Sequence, residues 1–316
     1  MNPISILIPC FNASKQLKET LQSAVSNMID GDELILVDDH SEDDSLKMGI
    51  EFLESTGTKF KATLNPNKGA CAARNHALSI SSNPLIQWLD ADDLLGKDKL
   101  VHQRSKLIEA PGSVVISPYI PFIGNPEFGA IREDRNWNLP KEITSANWLA
   151  SGKMTIPACW LGSRSLFEEA GPWDTSLKVN QDGEFFARVL ASADSVLFTP
   201  EVNVWYRRGN NNSVSQFSAE KAESLFLSVD SIYKTALALE DSNRMRQMIA
   251  NRYKHAIYTA YPHCPTGIEK AKKALKRLPK PTISNPNAVS NLSKFISRVF
   301  GWKALTRLRL LKNKWT

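Results

Sequence analysis

The stretch Pro84-Leu85-Ile86-Gln87-Trp88-Leu89-Asp90-Ala91-Asp92-Asp93 decides how this chain is read. Its first six residues form an apolar run of strand length, and its last four positions hold three carboxylates. Like charges packed this closely repel and raise one another's pKa. A strand that ends in such a cluster suits a cation. Oxygen-only ligands point to a hard ion such as Mg²⁺ or Mn²⁺, held by one or two carboxylates plus substrate phosphates. The same residues also suit a polar loop that caps the next helix, with Asp93 or Asp98 near its N-terminus. On this segment alone both readings stay open.

Working outward toward the N-terminus, the chain alternates as βα units do. Ile4 to Pro9 is a continuous apolar strand, as expected of a parallel sheet covered on both faces. Residues 14–28 follow with Leu17, Leu21, Ala24, Val25 and Met28 at helical spacing. Glu33 to Val37 reads as a second strand ending in Asp38-Asp39, a helix spans about Asp44–Ser55, and Phe60–Leu64 is a third strand. Asn65-Pro66-Asn67-Lys68-Gly69 then turns into a helix carrying Ala72, Ala73, Ala77 and Leu78. The predicted fold is a doubly wound α/β sheet, in which ligands bind beyond the carboxyl ends of the strands. Three of those strand ends carry polar groups able to do chemistry: Asn12, Asp38-Asp39 and the Asp90 cluster. That coincidence favours a site over a capped loop.

At 316 residues the chain is long enough for one large domain plus an appendage. No run approaches the roughly 18 apolar residues of a membrane span, and Met1 to Pro9 lacks the basic region of a signal peptide. Cys10, Cys71, Cys159 and Cys264 are scattered without CxxC spacing, which predicts small buried thiols in a reducing, cytoplasmic setting. The charge is uneven. Residues 244–316 hold 17 Lys and Arg against the single acid Glu269, so the tail carries +16 and the rest of the chain −10. An acidic body suits chemistry, and a basic tail suits an anionic surface.

Residues 111–160 read as irregular, rich in Pro, Gly and Trp, and are expected to shape a pocket, with specificity in the loops around 120–160. From Ser218 the pattern turns helical, over 219–239 and 243–261, closed by Pro262. Thr266-Gly267-Ile268-Glu269 fits a capping box opening a basic helix to Leu278, and a last helix is expected over about Val289–Phe300. The predicted division is 1–217 for the α/β body and 218–316 for a basic helical extension.

With these residues in view, the chain resembles the family-2 inverting glycosyltransferases of the GT-A fold. Ser5-Ile6-Leu7-Ile8-Pro9-Cys10-Phe11-Asn12 is similar to the family's opening strand, and Ile35-Leu36-Val37-Asp38-Asp39-His40-Ser41 to its Val-Asp-Asp-x-Ser strand end. Asn67-Lys68-Gly69-Ala70-Cys71-Ala72-Ala73-Arg74-Asn75 resembles its Asn-x-Gly-x-x-x-Ala-Arg-Asn helix, and Leu89 to Asp93 its DxD motif. Gly171-Pro172-Trp173-Asp174, then Gln181-Asp182-Gly183-Glu184-Phe185-Phe186-Ala187-Arg188, then Trp205-Tyr206-Arg207 through Ser213 and Ser215 complete the order. Each motif is weak by itself; their shared order carries the resemblance.

The resemblance implies a GT-A fold with a mostly parallel central sheet, and a nucleotide-diphospho-sugar donor, most simply a UDP-sugar. It implies that Pro9, Phe11, Asn12, Asp38, Asp39, Asn67 and Arg74 serve the donor nucleotide, with Phe11 against the base and Asp39 accepting from a uracil-like N–H. It assigns Asp90 to the ribose side and Asp92 to a Mn²⁺ or Mg²⁺ ion, with Asp93 as a further ligand or support. Asp182 is then the base that takes a proton from the attacking hydroxyl. Trp160 and Trp173 fall on the acceptor side, where they suit either sugar stacking or core packing. Two departures stand out: Gln181 replaces the usual Glu, and Arg207-Arg208-Gly209 lacks the His common near the diphosphate. Arg207 or Arg208 then suits the phosphates directly.

In the tail, residues 292–302 place Leu292, Phe295, Ile296, Val299, Phe300 and Trp302 on one helical face, and Ser293, Lys294, Ser297 and Arg298 on the other. That pattern suits the plane of an anionic membrane through 287–316, or packing against the body. Nucleic acid fits poorly, because apolar side chains outnumber the polar stacking groups. The expected protein is peripheral on the inner face of the cytoplasmic membrane and acts on a glycan or lipid-linked acceptor. Rival readings are an inactive sugar-nucleotide-binding scaffold and a sugar nucleotidyltransferase. The latter lacks a basic Gly-rich loop after the first strand.

Overall fold

The structure, a computed structural model, describes residues 2–129, 137–209, 217–286 and 288–312. The chain divides into two compact units. The first comprises Met1–Leu149, Lys153–Thr175 and Phe185–Val214; the second comprises Ala150–Gly152, Ser176–Glu184 and Ser215–Thr316.

In the first unit the elements run β1 (Ile4–Cys10), α1 (Leu17–Val25), β2 (Glu33–Asp38), α2 (Ser45–Thr56), β3 (Phe60–Leu64), α3 (Ala70–Ile80) and β4 (Leu85–Trp88). They continue through β5 (Leu94–Leu95), α4 (Lys99–Glu109), β6 (Val114–Ile116), β7 (Tyr119–Phe122), α5 (Pro126–Gly129), β8 (Glu142–Thr144) and α6 (Ser145–Ala150). Then come β9 (Trp160–Ser163), α7 (Arg164–Glu169), α8 (Gln181–Ser192), which enters this unit at Phe185 after a first turn that belongs to the second, β10 (Ser195–Phe198) and β11 (Val204–Arg207). The main sheet has the order β3-β2-β1-β4-β9-β6-β10-β8, and a smaller sheet has the order β5-β11-β7. Only β8 and β9 run against the other six strands of the main sheet. A mostly parallel α/β sheet is therefore what the sequence folds into.

The strands are apolar because they are covered. Ile4, Ile6, Leu7 and Ile8 of β1 and Leu34 to Val37 of β2 are fully buried. Residues 111–160, read as irregular from sequence, contribute β6 to β8 and the start of β9. Strands of three or four residues are too short for an alternation signal to emerge.

Beneath β4, Trp88 meets Phe167, Trp173 and Phe185 edge-on at 5.7, 5.4 and 5.8 Å. Phe185 stacks on Trp173 at 4.0 Å and Phe186 on Trp160 at 4.5 Å. Both Trp160 and Trp173 are 1 % exposed. Core packing accounts for these two rings, and sugar stacking is closed to them here. Two clusters of polar side chains are among those buried here with partners. Arg104 and Asp32, both fully buried, form a two-pronged ion pair at 2.7 and 3.0 Å, and Asp32 also accepts the Ile4 and Ile29 amides. Lys99 donates to Gln87 at 2.6 Å and Gln103 at 2.7 Å, which explains the polar residue within the apolar run of β4.

The second unit holds α9 (Ala219–Leu239), α10 (Asn243–Ala260), α11 (Pro265–Leu275), α12 (Asn291–Val299) and α13 (Gly301–Lys312). Ser218, Ser242 and Ser290 cap α9, α10 and α12 with their side chains. The expected capping box at Thr266–Glu269 does not form. The helix already starts at Pro265, so Glu269 lies inside it and pairs with Lys272 instead.

The single helix expected near 289–300 is followed by a second one. Gly301, at φ +81, breaks the run after Phe300. Trp302 therefore leaves the face it was assigned to. It sits 5.1 Å from both Tyr258 and Tyr261, with Leu305 and Thr306 buried beside it. In contrast, α12 buries nothing: Leu292, Phe295, Val299 and Phe300 are all more than half exposed.

Candidate functional site

The strand order places a switch point between β1 and β4, whose crossovers leave in opposite directions. A cleft opens there, lined by Pro9, Cys10, Phe11, Asn12, Ala13, Gln16, Asp39, Ala70, Arg74, Asp90, Ala91 and Asp92. Of the residues assigned to the donor, the fold gathers Pro9, Phe11, Asn12, Asp39, Arg74, Asp90 and Asp92 in this one place. Asp38 and Asn67 are not among the lining residues. Asp38 is buried beside it, accepting the Ser41 amide at 2.9 Å, and Asn67 is exposed in the turn before α3.

Each lining group is fixed by its neighbours. Phe11 follows the last residue of β1 with its ring 59 % exposed, an apolar face offered to whatever enters. Asn12, at φ +47, accepts the Glu42 amide with its side-chain oxygen and donates its backbone N–H to Ser41 Oγ. Asp39 accepts from Asn65 at 2.8 Å and from the Gly69 amide at 2.8 and 3.0 Å. Gly69 stands at φ +113, where a Cβ is strained, so a glycine is what brings this amide onto the carboxylate. Neither Asp38 nor Asp39 caps a helix with its own side chain; α2 is preceded by Asp44. Nor does Asp98, which precedes α4 at φ +59 without a side-chain cap.

Arg74 donates to Asp90 at 2.8 Å, and its guanidinium lies 4.6 Å over the Trp173 ring. Asn75 exchanges two hydrogen bonds with the Trp173 backbone, at 2.8 and 2.9 Å. Arg188 donates to the carbonyls of Ala170 and Pro172. Segments far apart in sequence thus brace one another behind the cleft.

The three carboxylates of the DxD segment differ. Asp90 and Asp92 are half-buried at the cleft, while Asp93 is 1 % exposed. Burial, then the charges of Asp90 and Asp92, push the Asp93 carboxyl well above the usual carboxylate range. One Asp93 oxygen accepts the Arg207 amide at 3.0 Å, and the other has no partner among the described residues. Among the described residues no group of three or more His, Cys, Asp or Glu is placed to hold a metal ion. Asp92 fits a hard cation that completes its shell with ligand phosphates. Asp93 faces into protein and fits as support, not as a direct ligand.

Arg207 is occupied elsewhere. It donates to the Asp92 carbonyl at 2.9 Å and the Gly124 carbonyl at 3.1 Å, and pairs with Glu19 at 2.6 Å. In these contacts it ties the DxD loop to α1. Arg208 is half-exposed, 5.8 Å from the Tyr206 ring. The closing motif's Ser213 and Ser215 lie outside the described residues.

Asp182 lies on the first turn of α8, half-buried, within the second unit. Sequence reasoning missed Gln16, Glu19, Asn65 and Ala70. Gln16 precedes an ordinary amphipathic helix and Glu19 sits in its first turn, and only the tertiary structure shows which side of that helix meets the DxD loop.

Known proteins bear on this site. The sequence model of glycosyl transferase family 2 matches residues 5–171. The succinoglycan biosynthesis protein ExoU of Rhizobium meliloti is 27 % identical over 201 residues, covering 60 % of this chain and 57 % of that protein. An Escherichia coli UDP-Glc:alpha-D-GlcNAc-diphosphoundecaprenol beta-1,3-glucosyltransferase, WfgD, is 33 % identical over 107 residues, or 34 % of this chain and 41 % of that one. The chain thus spans about half the length of these relatives. Among solved structures, S. aureus TarS 1–349 in complex with UDP-GlcNAc aligns with a TM-score of 0.63 at 18 % identity, over 79 % of this chain and 72 % of that one. That likeness concerns the fold. The family match covers more than half of the residues, and the chain belongs to glycosyl transferase family 2.

Proposed function

We propose that this member of glycosyl transferase family 2 moves a sugar from a nucleotide-diphospho-sugar, most simply a UDP-sugar, to a hydroxyl of a glycan or lipid-linked acceptor, with inversion at the anomeric carbon. The observation that carries this reading is the gathering of Phe11, Asp39, Arg74, Asp90 and Asp92 around one cleft at the switch point. An exposed aromatic ring suits a nucleobase, Asp39 an acidic base N–H, Asp90 a ribose hydroxyl, and Asp92 a cation on the diphosphate. The UDP-GlcNAc bound to the TarS structure and the UDP-Glc in the WfgD name agree with that donor class.

Asp92 would hold Mn²⁺ or Mg²⁺ together with the donor's phosphates. When bound, such an ion supplies Lewis-acid stabilisation of the charge that gathers on the leaving diphosphate. The chain's own groups do the rest. Arg74 orients Asp90, and the Arg207 amide and guanidinium hold the loop that carries Asp92. Asp182 takes the proton of the acceptor hydroxyl as its oxygen bonds to the anomeric carbon. The bond to the diphosphate breaks on the opposite face, and the nucleoside diphosphate leaves with the electron pair.

We place the protein at the cytoplasmic face of an anionic membrane, with α12 as the contact. Its apolar residues are exposed, Lys294 and Arg298 lie along its polar side, and it buries no residue of its own. A thermal-shift screen of nucleotide sugars with and without Mn²⁺ tests the donor assignment. Stabilisation by UDP-sugars that depends on Mn²⁺ and is lost in Phe11→Ala is expected. Equal stabilisation of wild type and variant would overturn it.

A further inference from the structure

Three serines of α9, Ser224, Ser228 and Ser231, fall on one helical face at i, i+4 and i+7. Ser224 and Ser228 are buried. Hydroxyls on the covered face of a helix need partners, and here the partners share one short segment. Ser224 Oγ accepts the amides of Lys178 at 2.7 Å and Val179 at 3.3 Å. Ser228 Oγ accepts from the Asn180 side chain at 2.9 Å. Ser231 Oγ donates to the buried Glu184 carboxylate at 2.7 Å.

The segment is also braced within itself. Gln181 donates from its side chain to the Leu177 carbonyl at 2.8 Å, and the Glu184 amide reaches the Asn180 carbonyl at 3.1 Å. A Glu at position 181 is ionised at neutral pH and has no proton to donate there. Asn180 holds φ +56, a left-handed conformation that disfavours side chains. All of these contacts lie inside the second unit.

Asp182 stands in the middle of this segment. We infer that α9 is the platform that positions Asp182, with Ser224, Ser228 and Ser231 as positioning residues and Gln181 as the brace that closes the turn before α8. The inference rests on the reading of Asp182 as the base. It gives the C-terminal helices a part in the chemistry, separate from any surface that α12 meets.

The test follows UDP release from UDP-glucose, UDP-galactose and UDP-N-acetylglucosamine with Mn²⁺, using the full chain. Ser224→Ala with Ser228→Ala is expected to lower kcat roughly 10- to 100-fold, as a displaced base would. The donor KM should stay within about threefold, since none of the tethered residues is among those lining the donor cleft. Ser224→Thr, which keeps the acceptor oxygen, should restore most of kcat to a Ser224→Ala single variant. Should the double variant not fold, Asn180→Gly serves: glycine tolerates the left-handed backbone, so only the tether to Ser228 is lost, and kcat should still fall. An unchanged kcat in the serine variants or in Asn180→Gly, with Asp182→Asn inactive, overturns the platform and leaves the base assignment standing. An active Asp182→Asn overturns both.

Discussion

Arg74 reaches across from α3 to Asp90 just beyond β4, 2.8 Å away, while its guanidinium lies 4.6 Å over the ring of the buried Trp173. One side chain thus fixes a carboxylate of the cleft by charge and is itself fixed by packing. A lysine supplies the charge without the planar fork or the ring contact. Arg74→Lys should weaken donor binding about tenfold, or roughly 1.4 kcal/mol. Titration with a UDP-sugar that gives wild-type affinity in this variant would remove Arg74 from the site.

Asp92 and Asp93 are adjacent in sequence but separated by burial, so they should respond differently to loss of charge. The Asp93 carboxyl is pushed toward its neutral form by burial and by Asp90 and Asp92. Asp93→Asn should therefore retain Mn²⁺-dependent stabilisation by the donor, whereas Asp92→Asn should lose it. Thermal shifts on the two variants decide the matter, and the opposite ranking would make Asp93 the ligand.

Burial pushes the Lys99 ammonium down from 10.5 to about 7. Above that pH the unfolded chain still binds a proton that the folded protein has released. The Lys99 contribution therefore makes stability rise with pH, by at most about 1.4 kcal/mol per unit. Urea midpoints of wild type and Lys99→Met between about pH 7 and 8.5 should diverge, with the wild type gaining on the variant as pH rises. A constant difference would show that Lys99 does not titrate there.

Arg104 and Asp32 are both fully buried, so removing one leaves the other charge without its counter-ion. Arg104→Met should cost about 3–5 kcal/mol, and adding Asp32→Asn should recover a good part of it. The recovery is partial, because the Ile4 and Ile29 amides bond to different Asp32 oxygens and Asn keeps an acceptor for only one of them. Denaturant unfolding that finds the two changes simply additive would argue against the pairing.

The exposed face of α12 predicts co-sedimentation with vesicles containing anionic lipid and not with neutral ones. Leu292→Asp with Phe295→Asp should abolish it without altering thermal stability, because neither residue is buried. Undiminished pelleting would assign the binding to another surface.

Much of the α/β half could be read from the sequence. Its strands are continuous apolar runs, and the runs end in Asn12, Asp38-Asp39 and Asp90 to Asp93, a pattern that survives without any contact being known. The helices from Ser218 were legible for the same reason, since a 3.6-residue period over 18 or 21 residues is a strong signal. What failed was short or broken. Strands of three or four residues carry no measurable alternation, and beyond the expected last helix Gly301, at φ +81, opens a further helix that carries Trp302 off the assigned face.

The sequence by itself determined which residue types stand at each strand end, and so the chemistry available there. Only the tertiary structure decided what each side chain does with it. Asp92 opens to the cleft and Asp93 does not, Arg207 spends its donors on Asp92, Gly124 and Glu19, and Trp160 and Trp173 vanish into the core. The reason is physical. Identity along the chain fixes charge and shape, but exposure and partners depend on segments up to 188 residues apart, as Glu19 and Arg207 are, and no local pattern encodes that distance.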